Sequence, residues 1–186
     1  MTAKFYLDTN ALILLSGLNE DLSELSKHIS ENHVELSIGH VQIDEEVSGD
    51  NFNQNFEKAL RKLRTYEITV NLEPTVIAIF DVSRFDLCKF GSKDLGKIYD
   101  ELRTEIECCE RKKPKPKLNI ARDAIIALSS LNHDYFITAD ECLLKSWRKV
   151  VENNQENKVV LQKTYSIPKL IHCKKPKGIL NTIMRF

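Results

Sequence analysis

Four acidic residues stand in this chain at positions where their carboxylates could hold a metal ion. Asp8 and Asp140 each end a short apolar run that is typical of a buried strand. Glu45 follows another such run, and Asp123 opens an apolar stretch with helical spacing. Because the carboxyl ends of parallel strands meet at one edge of an α/β sheet, we expect these side chains to converge there. Carboxylate oxygens are the ligands that a hard divalent cation such as Mg²⁺ prefers, so the sequence predicts a metal site.

The chemistry predicted for such a site is hydrolysis of a phosphodiester bond. That reaction needs an activated water, an in-line approach and neutralisation of negative charge on phosphorus, and one or two Mg²⁺ or Mn²⁺ ions supply all three. Without a metal, gathered carboxylates repel one another and some of their pKa values rise. We therefore expect the cluster to be metal-bound or partly protonated.

Alternating strand and helix patterns provide the frame for these acids. Strands are predicted at residues 4–7, 34–38, 75–82, 136–138 and 159–162, although residues 75–82 are also compatible with a helix. Helices are predicted at residues 10–18, around Leu22, Leu25 and Ile29, and at residues 40–47, 51–64, 94–109 and 141–150. A further helix is predicted to begin at Asn119 as N-cap, with Asp123 in its first turn. This alternation predicts an α/β protein, a three-layer α/β/α sandwich with a mostly parallel central sheet.

The composition is typical of a globular protein that does not enter a membrane. Its longest apolar runs have five residues, whereas a membrane span needs about 20. The first residues do not resemble a signal peptide, which favours a cytoplasmic protein. The five cysteines are odd in number and include no C-x-x-C pair, so we expect reduced, packed thiols rather than a disulfide framework or a zinc site. A redox role for the adjacent Cys108 and Cys109 is the alternative.

Charge is distributed unevenly along the chain, although the net charge is zero. Residues 1–57 carry eleven acids and two Lys or Arg, whereas residues 157–186 carry seven Lys or Arg and no acid. A basic run at residues 111–117 includes Lys112 and Lys113. Basic stretches beside an acidic pocket would suit a polyanionic substrate that is held by its phosphates. A solvated loop and a solvated tail are the alternative, and both interpretations stay open here.

The four acidic segments resemble the successive motifs of the PIN-domain nuclease family. The segments are LDTNALI at residues 7–13, IGHVQIDEEV at 38–47, ARDAIIA at 121–127 and FITAD at 136–140. They occur in the family's order, and together they are more specific than any one of them alone. The resemblance covers the chain from residue 4 to about residue 163. It implies a PIN-like nuclease domain at residues 1–163, with a helical insert at about 66–118 and a basic C-terminal extension at 164–186.

The resemblance also implies roles for individual residues. Asp8, Glu45, Asp123 and Asp140 would bind Mg²⁺ or Mn²⁺ and form the catalytic site. Thr9, Asn10 and Thr138 would orient these ligands by hydrogen bonds. Asn10 and Arg122 would contact the substrate, and Lys112 and Lys113 are predicted to do so because of the charge of their basic run. Simpler alternatives are a strand-end turn for Thr9 and Asn10, an ordinary strand residue for Thr138 and a solvated helix start for Arg122.

The activity implied by the family is that of a metal-dependent endoribonuclease, whose in-line cleavage of RNA leaves a 5′-phosphate. Homodimerisation and an antitoxin-like protein partner are further expectations from the resemblance. The chain is longer than the small toxin members of the family, because of the insert and the extension. This difference affects the expectation of a toxin role more than that of a nuclease.

Other classes of α/β protein fit the sequence less well. A haloacid-dehalogenase-type phosphatase needs a second Asp where this chain has Asn10, and no feature marks a phosphoryl-receiver domain. A G-x-x-x-x-G-K phosphate loop is absent, and no Ser/His/Asp arrangement can be assigned from spacing. A PIN-like module that binds RNA or protein without cutting remains the main alternative.

Overall fold

Alternate side chains of the first strand enter two separate hydrophobic cores. The computed structural model of the chain describes residues 2–47 (side chains only to residue 43), 54–77, 92–110 and 115–186. In β1, Ala3–Leu7, the side chains of Phe5 and Leu7 enter one core and that of Tyr6 enters the other. All three are fully buried, as expected of a strand in a parallel sheet that is covered on both faces.

The described residues form a five-stranded parallel sheet, in the order β3-β2-β1-β4-β5. The other strands are β2 Val34–Gly39, β3 Val70–Glu73, β4 Tyr135–Thr138 and β5 Lys169–His172. Tyr6 lies opposite Ser37 on β2 and opposite Phe136 on β4, so β1 is at the centre of the sheet. This arrangement confirms the predicted α/β class and its parallel sheet.

Helices cover both faces of the sheet and complete three layers. The helices α1 Thr9–Ser16, α2 Asp21–Asn32, α4 Gln54–Thr65 and α9 Pro176–Ile183 pack around Phe5 and Leu7. The helices α5 Lys93–Cys109, α6 Lys117–Ser129, α7 Glu141–Trp147 and α8 Gln155–Gln162 pack around Tyr6. The remaining helix, α3 His40–Val47, follows β2 directly. A π-helical turn, Arg148–Glu152, extends α7.

One predicted strand is wrong, and another is wrong over the part that the structure describes. The prediction at residues 159–162 is wrong, because this segment lies in α8. The side chain of Asn154 caps that helix by accepting a 3.2 Å hydrogen bond from the Asn157 backbone amide, and this local signal outweighs the β-branched pair Val159 and Val160. The prediction at 75–82 is wrong for residues 75–77, which form an isolated bridge and a bend, and residues 78–82 lie outside the described part. The outer strands β3 and β5 were not predicted.

The start of α6 also differs from the prediction. Asn119 is not the N-cap, because Pro116 occupies that position and its carbonyl accepts hydrogen bonds from the Asn119 and Ile120 amides at 3.0 and 3.2 Å. The helix therefore begins three residues earlier, and Asp123 lies in its second turn rather than its first. Other predicted helices and the strands at 4–7, 34–38 and 136–138 are confirmed, although residues 51–53 lie outside the described part.

The expectation of reduced thiols is wrong for two of the five cysteines. Cys109, the last residue of α5, forms a disulfide with Cys142 in the first turn of α7, and their Cα atoms are 5.6 Å apart. Cys108 is exposed and lies outside this disulfide, and Cys173 is free and buried. The sequence could not reveal this pair because the two residues are separated by 33 positions and only the packing of α5 against α7 brings them together.

Residues 164–186 contribute both β5 and α9 to the fold. Main-chain pairing joins β5 to β4, from Lys169 opposite Tyr135 to His172 opposite Thr138. Ile179 and Ile183 of α9 are fully buried in the core around Phe5 and Leu7. Among the described residues, no helix has both the length and the apolar content needed to cross a lipid bilayer.

Candidate functional site

Asp8 begins the site at the point where β1 ends and α1 starts. Its carboxylate caps α1 by accepting a 2.5 Å hydrogen bond from the Ala11 amide. It also accepts hydrogen bonds from the Thr138 hydroxyl and, at 3.2 Å, from the Ala139 amide. The residue is only 4% exposed. Burial raises the pKa of Asp8 to about 6, and the nearby Asp140 adds to this rise while the hydrogen bonds oppose it.

Thr138 connects Asp8 to Asp140 on the neighbouring strand. Pairing of Leu7 with Ile137 places the ends of β1 and β4 side by side. The hydroxyl of Thr138 donates to Asp8 and accepts a 3.0 Å hydrogen bond from the Asp140 amide. Because Thr138 is completely buried, this hydroxyl has a fixed geometry and aligns the two acidic residues.

Asp140 uses its two carboxylate oxygens differently. Oδ1 caps α7 by accepting hydrogen bonds from the Cys142 and Leu143 amides at 2.7 and 3.0 Å. Oδ2 accepts a 2.8 Å hydrogen bond from the Lys115 ammonium. Burial alone would raise the pKa of Asp140, but the Lys115 and backbone hydrogen bonds outweigh it and lower the pKa.

The Lys115 ammonium lies at the centre of the acidic cluster. Its Nζ atom is 2.8 Å from Asp140, 3.0 Å from Glu110 and 3.4 Å from Asp123. The Lys115 side chain is 33% exposed, and all three carboxylate side chains are less exposed than it is. Burial would lower the pKa of Lys115, but its carboxylate partners outweigh this effect and raise the pKa. The cluster is therefore neutralised in part by a cation of the chain itself.

Gln42 attaches α3 to the end of β1. Its side-chain oxygen accepts a 2.8 Å hydrogen bond from the Gly39 amide, and its side-chain nitrogen donates to the Leu7 carbonyl at 3.1 Å. The same nitrogen lies 3.4 Å from the Thr9 hydroxyl. Gln42 is completely buried, so the start of α3 is fixed beside the site. Glu45 lies in α3 three residues later, and its side chain is outside the described part.

The structure brings three of the four predicted metal ligands to the same edge of the sheet. Asp8 and Asp140 are linked through Thr138, and Asp140 and Asp123 are linked through Lys115. The positions of the predicted substrate contacts vary: Asn10 is exposed on α1, Arg122 is half-buried on α6, and Lys112 and Lys113 lie outside the described residues.

Sequence reasoning missed Glu110 and the particular role of Lys115. Glu110 directly follows α5, and Lys115 belongs to the basic run at residues 111–117. A weak signal was present, because Lys115 precedes Asp123 by only eight residues. The charge pattern does not reveal that this lysine folds back onto acids, since that depends on how α5, α6 and α7 pack together.

The donor atoms in this cluster fit a hard divalent cation. Oxygens of Glu110 and Asp140 lie within 4.8 Å of each other and of the Cys142 sulfur. The Cys142 sulfur is bonded to Cys109 and has no thiolate to offer, which leaves a set of carboxylate oxygens. Such a set suits Mg²⁺ or Mn²⁺ rather than a softer metal. The Lys115 ammonium further shows that the cluster attracts positive charge.

The fold and site define a parallel α/β protein with a carboxylate cluster at the carboxyl edge of its sheet. No protein-family model matches the chain, and no curated protein matches it. One solved structure that resembles it is that of VapBC2 from Rickettsia felis, bound to a DNA fragment from the VapBC2 promoter. The sequence identity is 16% and the TM-score is 0.42. That match covers 90% of this chain and 98% of the other. At this level of similarity, the interpretation of the site depends on its own geometry.

Proposed function

We propose that this protein is a metal-dependent endoribonuclease of the PIN-like type, with Mg²⁺ or Mn²⁺ as its cofactor. One observation supports the proposal above all. Asp8, Asp123 and Asp140 come from three separate elements and meet at the carboxyl edge of a parallel sheet, where α/β proteins place their sites. Glu45 is proposed as the fourth acid on the basis of its motif.

The residues around the carboxylates are arranged to hold them rigidly. The bound cation would supply activation of water and neutralisation of charge on the phosphate. Thr138 fixes the relative orientation of Asp8 and Asp140 through its hydroxyl. The Asp140 Oδ1 atom is engaged by α7, which leaves Oδ2 directed at the centre of the cluster. Rigid ligands lower the cost of assembling a metal site, because little freedom is lost on binding.

Basic residues after β5 are proposed to hold the phosphate backbone of the substrate. The Cys173 amide donates a 2.9 Å hydrogen bond to the Thr138 carbonyl, so the chain leaves β5 beside the site. The next residue, Lys174, forms a 3.1 Å ion pair with Glu141, the immediate neighbour of Asp140. Lys175 and Lys177 follow and are exposed. Asn10, Arg122, Lys112 and Lys113 remain proposed contacts from the sequence.

RNA is proposed as the substrate because of the resemblance to PIN nucleases. Basic residues bind phosphates and do not distinguish RNA from DNA. The homodimer, the antitoxin-like protein partner and the cytoplasmic location likewise remain proposals from the sequence.

A second candidate function is a PIN-like module that binds RNA or protein without cutting. The observation in its favour is Lys115, which neutralises the cluster without a metal. Clustered acids in an inactive protein would otherwise repel one another. The two candidates differ in whether the cluster binds Mn²⁺.

The proposed function is tested by incubating labelled RNA and DNA with the protein in Mn²⁺, Mg²⁺ or EDTA. Wild type is compared with Asp8→Asn, Asp123→Asn and Asp140→Asn. Asp100→Asn on the exposed side of α5 serves as a matched control. We expect metal-dependent cleavage of RNA by wild type and by the control, and a loss of at least about a hundredfold in the three site variants. Absence of cleavage together with absence of Mn²⁺ binding by calorimetry would favour the binding module.

A further inference from the structure

The structure holds a positive charge at one defined point in the acidic cluster. The Lys115 Nζ atom lies within 2.8–3.4 Å of carboxylate oxygens from Glu110, Asp123 and Asp140. These three carboxylates belong to the end of α5, the second turn of α6 and the N-cap of α7. Three acids from separate elements thus converge on one cation, and a hard divalent ion prefers the same carboxylate oxygens.

A lysine and a divalent cation cannot share this point. Both are strongly hydrated charges that compete for the same carboxylate oxygens. Lysine reaches the point on a flexible four-carbon stem, and its side chain is 33% exposed, so it can swing into solvent without disturbing the core. The carboxylates are fixed more firmly, because Asp140 also caps α7 and Glu110 adjoins the disulfide at Cys109.

Glu110 adds a further carboxylate at this point, beside that of Asp140. It is the first residue after α5, and the Cys109–Cys142 disulfide holds that end of the helix against the start of α7. Its carboxylate oxygen lies within 4.8 Å of an Asp140 oxygen, which is close enough for one ion to contact both. The resemblance to a nuclease family did not identify this residue.

We propose that Glu110 is a ligand of a divalent-cation site shared with Asp123 and Asp140, and that Lys115 is a built-in competitor that must leave when the metal binds. The inference rests on the proposed metal dependence of the site and adds a ligand and a control element to it. In the metal-free protein Lys115 prevents repulsion among the acids, and on metal binding its ammonium is released at the edge of the site. The metal affinity is thereby set lower than the carboxylates alone would give.

Calorimetric titration with Mn²⁺ tests the competition. Lys115→Met removes the charge and keeps most of the side-chain volume, while Lys117→Met makes the same change at a nearby exposed lysine. We expect Lys115→Met to bind Mn²⁺ about tenfold more tightly than wild type, because ligand charge count sets the affinity of such sites. Lys117→Met should bind with the affinity of wild type.

The role of Glu110 is tested in the Lys115→Met background, where loss of its ion pair with Lys115 no longer contributes. Adding Glu110→Gln to Lys115→Met should weaken Mn²⁺ binding about tenfold or more, because one negatively charged ligand is lost. Glu107→Gln, one turn earlier on the exposed side of α5, is the matched control and should leave the affinity unchanged.

Chemical labelling gives a readout that does not depend on variants. An amine held by three carboxylates reacts slowly with an acylating reagent, whereas an amine released to solvent reacts like an ordinary lysine. We expect Mg²⁺ to accelerate acylation of Lys115, measured by mass spectrometry against Lys117 in the same sample.

The outcomes separate this inference from the proposed function. Equal Mn²⁺ affinity of wild type and Lys115→Met, with no effect of Mg²⁺ on labelling, would overturn the competition and leave the nuclease proposal standing. An unchanged affinity in Glu110→Gln/Lys115→Met would remove Glu110 from the site. Absence of Mn²⁺ binding by wild type and Lys115→Met alike would overturn both this inference and the proposed metal dependence.

Discussion

At the scale of single residues, buried polar groups are satisfied by a few specific partners. Asp8 is 4% exposed and accepts three hydrogen bonds, from Ala11, Thr138 and Ala139. A buried carboxylate without such partners would be very costly. The partners come from the sheet register and the start of α1, so the site is a direct consequence of how β1 and β4 pair.

Thr138→Val should destabilise the protein although it keeps the shape of the side chain. The change removes the hydroxyl that donates to Asp8 and leaves the Asp140 amide without its acceptor. We expect a loss of about 1–3 kcal/mol in the free energy of unfolding, measured by urea titration in EDTA. Thr138→Ser retains the hydroxyl and should lose clearly less. Equal stability of Thr138→Val and wild type would contradict the bridging role.

His133 should make the protein less stable in mild acid. Burial lowers the pKa of His133, and the nearby Glu73 opposes this only in part. The unfolded chain therefore binds a proton at this histidine more readily than the folded protein does. The free energy of unfolding is thus retained above the ordinary histidine pKa of 6.5 and falls as the pH drops below it. His133→Asn, whose amide can still donate to the Ser130 carbonyl, should reduce this loss.

The measurement for His133 is the free energy of urea unfolding at about pH 7.5 and about pH 5.5, on either side of the ordinary histidine pKa. The difference between the two values should be smaller in His133→Asn than in wild type. His33→Asn is the matched control, since His33 is exposed and its left-handed backbone suits Asn. A pH dependence that is unchanged in His133→Asn would show that other groups cause it.

At the scale of elements, α5 and α7 are linked covalently beside the site. The Cys109–Cys142 disulfide joins the end of α5 to the first turn of α7. The Asp140 carboxylate caps the same turn of α7. An ion pair between Glu105 and Lys149 adds a further, exposed contact, which contributes little. The position of Glu110 relative to Asp140 therefore depends chiefly on the disulfide and on helix packing.

Cys109→Ser should lower the stability of the oxidised protein. The disulfide closes a loop between residues separated by 33 positions. Such a disulfide adds about 2–4 kcal/mol to the free energy of unfolding, because it constrains the unfolded chain. Urea unfolding should show this loss in Cys109→Ser, and wild type in reducing agent should approach the same value. Cys108→Ser, at the adjacent exposed cysteine outside this disulfide, should remain close to wild type. Identical midpoints with and without reducing agent would argue against the bond in solution.

At the scale of the whole molecule, the last 23 residues complete the sheet and one of its cores. Residues 164–186 supply β5, which pairs with β4 next to Thr138, and α9, which covers Phe5 and Leu7. Phe186 adds ring contacts to Phe5 and Tyr135. The segment contains no acid, so the same stretch that closes the core also places positive charge beside the site.

Truncation after residue 163 should prevent folding, because it exposes the edge of β4 and part of one core. We expect loss of cooperative urea unfolding in the truncated chain. Ile183→Ala in the full chain tests the same packing more gently and should cost about 2–5 kcal/mol, since Ile183 is fully buried. Asn181→Ala on the exposed face of α9 should have little effect. A truncated chain that unfolds cooperatively would instead support a domain boundary near residue 163.

The class of fold, and the strand ends at which Asp8 and Asp140 stand, follow from local sequence signals. Strand ends, helix periodicity and capping residues are local signals, so β1, β2, β4 and α3 could be predicted closely. Outer strands were harder, because β3 and β5 lie at the edges of the sheet and are only partly buried, so they lack the continuous apolar run of the inner strands. The strand prediction at residues 159–162 is wrong because so short a run with two β-branched residues is compatible with a strand or with a helix.

How the acidic cluster is neutralised depends on tertiary packing and could not be predicted from the sequence. Glu110, Lys115, Asp123 and Asp140 approach one another because α5, α6 and α7 pack on the same face of the sheet. The Cys109–Cys142 bond arises from that same packing. Charge pairing and disulfide formation depend on distances of a few ångströms between residues that are remote in the chain, and a sequence pattern with a period of two or 3.6 residues carries no information about those distances.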